Sequence, residues 1–598
     1  MKRWIILSAL ALLTCGCAYQ ARPQAAGEHR FPTFRPIPFT VGNGALFQSS
    51  PFLPVVNETV RAIRAKSDEA QGNYVHILNS GDDALLARIH LIRNATKSIC
   101  IQTFIWTNDE VGRFVMHELI EAAKRGVHVR VIADHFVSDK DPDVVAFLIT
   151  AHPNLEIKHY RPAAKRIRPS RLQIFTSLIL GFRSLNQRMH NKIMVFDDVI
   201  AISGGRNIEN TYFNRSTEMT FKDRDVLVVG PVVPDVRKSF EKYWKCRHVV
   251  PGQELLDVAS AIRENKFKRF RTHEDFKFSE LCESEYNQAS DADIIKRRFT
   301  DRLTRARRVE FVADKPGKNR AWWLWGGGAL TRKLAKTFGK VQKEMIIQSP
   351  YFVLGQSTQI FFAKLRKRKP DLRVIVSTNS FGSTDNTIAY SANYRLRSSY
   401  IEGLALETYE YKPHPADLRQ VYPAFDEFAK RAREKIDKGE QERGPFLCIH
   451  AKSAVMDRRL SYIGSYNLDP RSANLNTEVG FLIDDEEVAR QLRDDMLNDC
   501  RPENSWVIAK RQMPLGTDVL NGMVEGLMLW SPIDLWPIRN TTSFGLRPGK
   551  PAVPTNHPDF YDNYEDTGGF PGAPAGLSMK EITTRILKTV GPLAVPIM

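Results

Sequence analysis

The sequence has few cysteines, and their spacing argues against a disulfide-stapled domain or a zinc site. Two of the seven cysteines lie near the N-terminus. The other five are odd in number and widely spaced, so we expect buried free thiols rather than a disulfide framework; they are Cys100, Cys246, Cys282, Cys448 and Cys500. No cluster of His, Cys and carboxylate residues has zinc spacing, so we expect neither a metal nor another cofactor.

Motifs that bind nucleotides or nucleic acids are also missing. Lys315-Pro316-Gly317-Lys318 lacks the first glycine and the Ser or Thr of a phosphate loop. No basic-aromatic motif predicts nucleic-acid binding. The formal net charge is nevertheless +18, which favours an anionic partner such as a lipid surface or a nucleic acid. We therefore expect contact with an anionic membrane surface, and no nucleic-acid partner.

The N-terminal apolar run, Trp4 to Leu13, is too short to span a membrane. It follows Lys2-Arg3 and precedes Thr14-Cys15-Gly16-Cys17, which is typical of an export signal. A cysteine directly after Gly16 resembles a bacterial lipoprotein signal, so we predict that Cys17 carries lipid. This places the protein in the bacterial cell envelope, on the periplasmic side. A plain cleaved signal or an uncleaved short anchor remains an alternative.

An internal repeat is the strongest feature of the sequence. Equivalent residues of the two halves are 260 positions apart. The first copy contains His190, Lys192, Asp197, Gly205, Asn207 and Glu218, and the second contains His450, Lys452, Asp457, Ser465, Asn467 and Glu478. A strand-helix-strand pattern precedes each copy, which predicts two α/β domains facing each other.

The domain boundaries follow from this repeat and from local composition. A charged, helix-leaning stretch separates the halves, and a Pro- and Gly-rich C-terminus predicts an irregular tail without its own core. The predicted segments are an export signal at 1–16, a linker at 17–74, a first domain at 75–250, a helical connector at 251–330, a second domain at 331–510, and an apolar segment with the tail at 511–598.

The residue types of the repeat suit phosphodiester transfer. In a strand, His190 and Lys192 point the same way and Asp197 does not, so we predict that Asp197 and Asp457 are structural residues that hold the turn after the strand. One histidine can attack phosphorus, and the other can act as acid and then base. Hydrogen-bond donors to the phosphate oxygens are predicted to be Lys192, Lys452, Asn207 and Asn467. We predict that Glu218 and Glu478 orient the histidines.

These motifs resemble the phospholipase D superfamily over about residues 76–483. Gly204-Gly205-Arg206-Asn207-Ile208 and Gly464-Ser465-Tyr466-Asn467-Leu468-Asp469-Pro470-Arg471-Ser472 look like the bacterial cardiolipin synthase C type of phosphatidyltransferase. The resemblance implies two pseudo-symmetric α-β-α sandwich domains that share one active site. It also implies a covalent phosphohistidine on His190 with His450 as acid and base, although the reverse assignment stays open.

Further residues are candidates for substrate contacts. Gly205 stands where most superfamily members have serine, as at Ser465, so we expect unequal phosphate binding by the two half-sites. Thr384 and Asp385 are candidates for acceptor contacts. The segment from Arg161 to Arg188 mixes basic and apolar residues just before His190, which suits either an anionic bilayer surface or a core-packed helix.

Four functions are compatible with these features. The first is a cardiolipin synthase-like phosphatidyltransferase acting on phosphatidylglycerol or phosphatidylethanolamine, without an implied protein partner. The second is a phospholipase D hydrolase that releases phosphatidic acid. A nuclease or other phosphodiesterase, and a non-catalytic envelope protein, are less favoured.

Overall fold

The computed structural model describes residues 46–66, 68, 71–135, 138, 140–318, 326–513, 517–528 and 539–573. The predicted export signal and Cys17 lie outside the described residues. Within the described ranges, no helix is both long enough and apolar enough to cross a membrane.

The first sheet has nine strands and carries the first copy of the repeat. Their order across the sheet is β10-β1-β8-β6-β5-β2-β3-β4-β9. Only β2–β3 and β3–β4 pair in parallel. The strands are β1 Asn73–Leu78, β2 Ser98–Thr103, β3 His128–Asp134, β4 Leu155–Tyr160, β5 Ile193–Phe196, β6 Ile200–Gly204, β8 Asp225–Val229, β9 Val249–Pro251 and β10 Thr304–Ala306.

The second sheet has ten strands and repeats the same central order. Its order is β11-β18-β17-β16-β12-β13-β14-β19-β20-β21, with β12–β13 and β13–β14 parallel. The strands are β11 Arg308–Ala313, β12 Glu344–Gln348, β13 Arg373–Asn379, β14 Glu407–Tyr411, β16 Ser453–Met456, β17 Leu460–Gly464, β18 Val479–Asp484, β19 Ser505–Lys510, β20 Thr541–Leu546 and β21 Tyr564–Gly568. Eight strands of each sheet therefore correspond one to one, from β1 to β9 in the first order and from β11 to β19 in the second.

The helices of the first half and connector pack around the first sheet. They are α1 Leu53–Arg64, α2 Gly81–Asn94, α3 Glu110–Lys124, α4 Pro142–Ala151, α5 Arg171–Asn186, α6 Val233–Trp244, α7 Leu256–Glu264, α8 His273–Phe276, α9 Glu280–Gln288 and α10 Ala292–Arg298. The later helices are α11 Ala329–Phe338, α12 Gln356–Arg368, α13 Thr387–Ser398, α14 Leu418–Val421, α15 Phe425–Asp437, α16 Pro470–Asn474, α17 Glu486–Asp499, α18 Thr517–Met528 and α19 Phe560–Asn563.

Alternation along the strands separates the cores. In β2, Ile99 and Ile101 join an outer core with α2 and α3, whereas Cys100 faces a central core. This central core contains α6 and α17 and apolar residues of both sheets, including Val195 and Val455. A third core covers the other face of the second sheet. Each sheet is thus flanked by helices on both faces, which confirms the predicted α/β fold of two sandwich domains.

The connector and the tail differ from the sequence prediction in detail. The connector is helical at first, but it ends in β10 and β11, which join the first and second sheets. The C-terminal segment was expected to be irregular, yet β20 and β21 extend the second sheet. Phe544, Phe560 and Tyr564 are buried there against Val507. The apolar side chains between the prolines and glycines therefore find a core on the neighbouring domain instead of forming their own.

Two parallel pairings join the halves directly beside the repeated motifs. Strand β7, Met219–Lys222, pairs with β15, Phe446–Ile449. The second is an isolated bridge between Met189 and Thr477. Each pairing joins the segment before a motif histidine to a segment of the other half, so these histidines are held at the contact between the two domains.

Candidate active site

The backbone places each histidine beside a carboxylate of the other half. The His190 amide donates to the carbonyl oxygen of Thr477 (3.1 Å), and the His450 amide donates to that of Lys222 (2.9 Å). The next residues along these partner segments are Glu478 and Asp223. Each parallel pairing therefore positions a histidine and an acid together.

The first of these crossed pairs is His190 with Glu478. The His190 Nδ1 atom lies 2.9 Å from Glu478 Oε2, and both side chains are buried. The Ser465 hydroxyl donates to the same oxygen (2.5 Å), and the Ser472 hydroxyl donates to Oε1 (2.8 Å). Burial raises the pKa of Glu478 to about 7, against the opposing effect of Lys318 and Lys192.

The second crossed pair is His450 with Asp223. The His450 Nδ1 atom lies 2.6 Å from Asp223 Oδ2. Burial alone would raise the pKa of Asp223, but the positive charges of His450 and Lys452 hold this pKa well below its usual range. Asp223 is therefore ionised at neutral pH, whereas Glu478 is close to its midpoint.

The prediction for Glu218 is wrong. Glu218 is exposed, and Asp223 occupies the position that corresponds to Glu478. The strand register shows this, because Gly204 pairs with Asp225 and Gly464 pairs with Gly480. The offset between the halves is thus 260 at the glycines but 255 at the acids (480 − 225). Five extra residues, in the segment containing β7, separate Asn207 from its acid. An alignment of the two halves at strands β8 and β18, each of which follows its acid, would have identified Asp223.

The motif aspartates are structural, but they hold a different segment from the one predicted. Asp197 accepts hydrogen bonds from the backbone amides of Thr96, Lys97 and Ser98, which lead into β2. Asp457 does the same for the amides of residues 342–344, which lead into β12. Each aspartate therefore fixes the entry to the neighbouring strand rather than the turn that follows its own.

The His-x-Lys segments themselves are not inside strands. Residues 190–192 precede β5, and residues 450–452 join β15 to β16. The Lys192 ammonium donates to the carbonyl oxygen of His190 (2.9 Å), and Lys452 does the same to that of His450. Burial lowers the pKa of Lys192 to about 7 and that of Lys452 to about 8. Burial thus reduces the proton affinity of both lysines.

A cavity of about 490 Å³ opens onto both histidines. Asn207 and Asn467 form part of its wall together with Arg471. The Asn207 side chain is fixed, since its oxygen accepts from the Ile105 amide (3.1 Å) and its amide donates to the Tyr212 hydroxyl (2.7 Å). The Asn467 side-chain oxygen, in contrast, is buried without a hydrogen-bond partner among the described residues. Both halves therefore contribute to a single cavity.

Gly205 and Ser465 lie behind the acids instead of contacting the cavity as predicted. Ser465 is fully buried and bonds to Glu478. A Cβ atom at Gly205 would lie 2.1 Å from Asp223 Oδ1. The serine-to-glycine difference therefore changes how each acid is held, because Asp223 fills the space of the missing side chain.

Of the two acceptor candidates, only Asp385 forms part of the described cavity wall. It accepts a hydrogen bond from the Tyr351 hydroxyl (2.5 Å) at the mouth. Thr384 is buried, and its hydroxyl bonds to the backbone of Asn386. The structure thus separates Thr384, which shapes the loop, from Asp385, which faces the cavity.

A positioning residue that sequence reasoning missed is Arg224. Its backbone amide donates to Asp223 Oδ1 (2.7 Å), while its side chain donates to Gln348 (2.8 Å) and Ser453 (3.1 Å) of the second half. Arg224 lies between two aspartates and is part of no recognisable motif. Its contacts with Gln348 and Ser453 are visible only once the two sheets are packed together.

Comparison with known proteins shows the family of the two domains. The family model described as "Cardiolipin synthase, PLD-like domain" matches residues 88–244 and 334–500. The chain is 30% identical to cardiolipin synthase C of Escherichia coli K12, over 71% of this chain and 84% of that protein. It is 25% identical to cardiolipin synthase B of Salmonella typhi, over 74% and 84% of the two chains. Among solved structures, the phosphatidylserine synthase of Haemophilus influenzae matches with a TM-score of 0.47 and 16% identity, over 75% and 92%.

Two facing sandwich domains that share a pair of histidines define a phospholipase D-type protein. The chain belongs to the phospholipase D superfamily, in the family of cardiolipin synthase-type domains. This confirms the resemblance found in the sequence, and both matched regions contain one copy of the repeat.

Proposed function

We propose that the protein is a phosphatidyltransferase that makes cardiolipin from two glycerophospholipids through a phosphohistidine. The observation that supports this most directly is the crossed arrangement of His190–Glu478 and His450–Asp223 around one cavity. The similarity to cardiolipin synthase C over most of the chain supports the choice of lipid substrates. Phosphatidylglycerol or phosphatidylethanolamine would supply the phosphatidyl group.

The two pairs suit different roles. A nucleophilic imidazole must be neutral, and burial together with Lys192 and Lys452 lowers the pKa of His190 well below its usual value. Burial and Lys452 also lower the pKa of His450, but the ionised Asp223 opposes this change. His450 is consequently the better holder of a proton. We assign His190 as nucleophile and His450 as acid and base.

The first half-reaction then forms the covalent intermediate. Because Glu478 accepts the Nδ1–H of His190, the Nε2 lone pair is left to attack phosphorus. The P–N bond forms as the P–O bond to the donor's headgroup alcohol breaks, and His450 gives its proton to that alcohol. In the second half-reaction His450 takes the proton of the acceptor hydroxyl, whose oxygen attacks phosphorus and releases His190.

Hydrogen-bond donors must stabilise the negative charge that develops on the non-bridging phosphate oxygens in the transition state. Asn207 and Asn467 lie in the cavity wall, and Lys192 and Lys452 lie beside the histidines. A bound phosphodiester would favour the charged form of both lysines, whose pKa values are lowered in the free protein. These four side chains form the proposed oxyanion cradle.

The nature of the acceptor decides between transfer and hydrolysis. Asp385, at the cavity mouth, can accept a hydrogen bond from a second, non-attacking hydroxyl of an incoming glycerol headgroup, while it also accepts from the Tyr351 hydroxyl. Such a contact favours a glycerol acceptor over water, because water has no second hydroxyl group to be held in place.

Purified protein incubated with labelled phosphatidylglycerol, alone or with phosphatidylethanolamine, tests this proposal. Labelled cardiolipin is the expected product, and its formation should be lost in the His190→Ala protein. Phosphatidic acid as the sole product would replace the transferase with a phospholipase D hydrolase. An absence of both products, with the intact chain folded, would refute a lipid substrate.

For its location, we propose an exported protein anchored through lipid on Cys17, on the periplasmic side of the envelope. The support is the order of basic, apolar and small residues before Cys17. Labelled palmitate should enter the wild-type protein in bacterial cells and not the Cys17→Ser variant. Equal labelling of the two proteins would contradict the anchor.

A further inference from the structure

Helix α5 carries a cluster of solvent-exposed apolar side chains. Leu172 is 71% exposed, Phe175 57% and Ile174 37%. Leu172 and Phe175 are three positions apart and so lie on one side of the helix. The alternative of a core-packed helix does not fit these three residues. Large side chains exposed together in this way mark an interaction surface.

The charges within this segment have a single sign, and Asp257 of α7 contacts it only through the backbone amides of Ile167 and Arg168 (2.9 and 2.8 Å). Residues 161–188 contain no aspartate or glutamate but seven basic residues, which are Arg161, Lys165, Arg166, Arg168, Arg171, Arg183 and Arg188. Lys165, Arg168 and Arg171 are exposed next to the apolar cluster. Apolar side chains that enter the acyl boundary, with flanking cations at headgroup level, are typical of a helix lying on an anionic bilayer.

The helix is joined to the catalytic cavity. Arg471, in the cavity wall, donates to the carbonyl oxygen of Asn186, the last residue of α5 (3.2 Å). His190 follows four residues later, after the buried ion pair of Arg188 with Asp134 (2.6 Å). The exposed Ile388 adds an apolar side chain at the cavity wall. The C-terminal end of α5 therefore contacts the cavity wall, with Phe175 about 17 Å away along the helix axis.

We propose that α5 docks the protein on an anionic lipid bilayer, with Leu172 and Phe175 inserted and Lys165, Arg168 and Arg171 on the headgroups. This inference rests on the proposed function for its purpose, since a phosphodiester must reach His190 while its acyl chains stay in the bilayer. The docking itself is a property of the helix and can be measured without turnover.

The activity test uses the full chain and compares two substrates with the same headgroup. One is phosphatidylglycerol in vesicles, and the other is a monomeric short-chain phosphatidylglycerol. The Leu172→Ser/Phe175→Ser protein should turn over vesicles of phosphatidylglycerol and phosphatidylcholine roughly tenfold more slowly than wild type, because it loses inserted apolar surface. Its turnover of a monomeric short-chain phosphatidylglycerol should be unchanged. Leu256→Ser/Ile360→Ser is the matched control, because these side chains are 54% and 48% exposed on other helices. It should match wild type with both substrates.

A second measurement reads docking without activity. Hydrogen–deuterium exchange of the full chain should slow in residues 171–177 on anionic vesicles and not on pure phosphatidylcholine. Equal vesicle turnover by wild type and the α5 variant, or unchanged exchange, would overturn docking. Loss of short-chain turnover in the α5 variant would instead assign the helix to the cavity. If wild type makes no lipid product but α5 is protected, the proposed function fails and docking stands.

Discussion

The two half-sites have the same strand order but hold different acids in different ways. His190 faces Glu478, which two serine hydroxyls fix and whose pKa burial raises to about 7. His450 faces Asp223, whose pKa the neighbouring positive charges hold well below its usual range. A duplicated sheet can thus keep its geometry while its two halves become electrostatically unequal. This inequality suits the separate roles of nucleophile and acid that we propose for the two histidines.

The two acids also differ in how the chain holds them. The first half has five more residues between its asparagine and its acid than the second, and these residues form the pairing of β7 with β15. Asp223 fills space beside Gly205, whereas Glu478 bonds to Ser465 at the equivalent position. A short insertion and one missing side chain therefore distinguish the two acids.

Removing either histidine should have the largest effect. His190→Ala should lower phosphatidyl transfer by on the order of 10⁴-fold or more, since the covalent route is lost. His450→Ala should lower it by roughly 10²–10⁴-fold, because only the acid and base is lost. A lipid analogue with a p-nitrophenol leaving group distinguishes the roles of the two histidines, because this group leaves without protonation by an acid.

With that analogue, the His450→Ala protein should still release a burst of nitrophenol equal to the enzyme concentration, and the His190→Ala protein should not. The opposite pattern would exchange the two roles.

The next largest effect concerns the identity of the second acid. Asp223→Asn should slow transfer by roughly 10²–10⁴-fold, because the amide does not stabilise the imidazolium of His450. The control is Glu218→Gln, at an exposed position, which should leave the rate unchanged. A large loss in the Glu218→Gln protein with little loss in Asp223→Asn would restore the uniform offset of 260.

The pH dependence should distinguish the two acids. As the pH falls through about 7, Glu478 gains a proton and ceases to accept from His190, so kcat/KM should drop up to tenfold per pH unit below that value. Asp223 remains ionised throughout this range. The Glu478→Gln protein should be slow at every pH and should lack this acid limb. An unchanged limb in that protein would assign the titration to another group.

The smallest effects should come from the residues behind the acids. Ser465→Ala removes one hydrogen bond to Glu478 and should slow transfer by roughly tenfold. Gly205→Ser should cost about 1–3 kcal/mol in the free energy of unfolding, because its side chain overlaps Asp223. Urea unfolding of the variants measures the second effect. An unchanged free energy of unfolding in Gly205→Ser would mean that Asp223 can move aside without a loss of stability.

Part of the site was predictable because its residues repeat at a fixed spacing. His190, Lys192 and Asn207 recur at His450, Lys452 and Asn467. The structure brings the histidines and asparagines into one cavity wall, with each lysine beside its histidine. The same spacing gave the wrong acid, Glu218, because a uniform offset of 260 does not allow for the five extra residues of the first half. The alternation of side chains along a strand predicted that the aspartates point away from the histidines. The aspartates are structural, although the His-x-Lys segments themselves lie outside the strands.

The sequence by itself determined the superfamily, the duplicated α/β architecture and the paired His-Lys-Asn pattern, because these depend on residue type and local spacing. Only the tertiary structure decided that each histidine is served by the other half, since that contact depends on how two parallel backbone pairings cross between the domains. It also decided the unequal state of the two acids, which depends on burial and on charges distant in the chain.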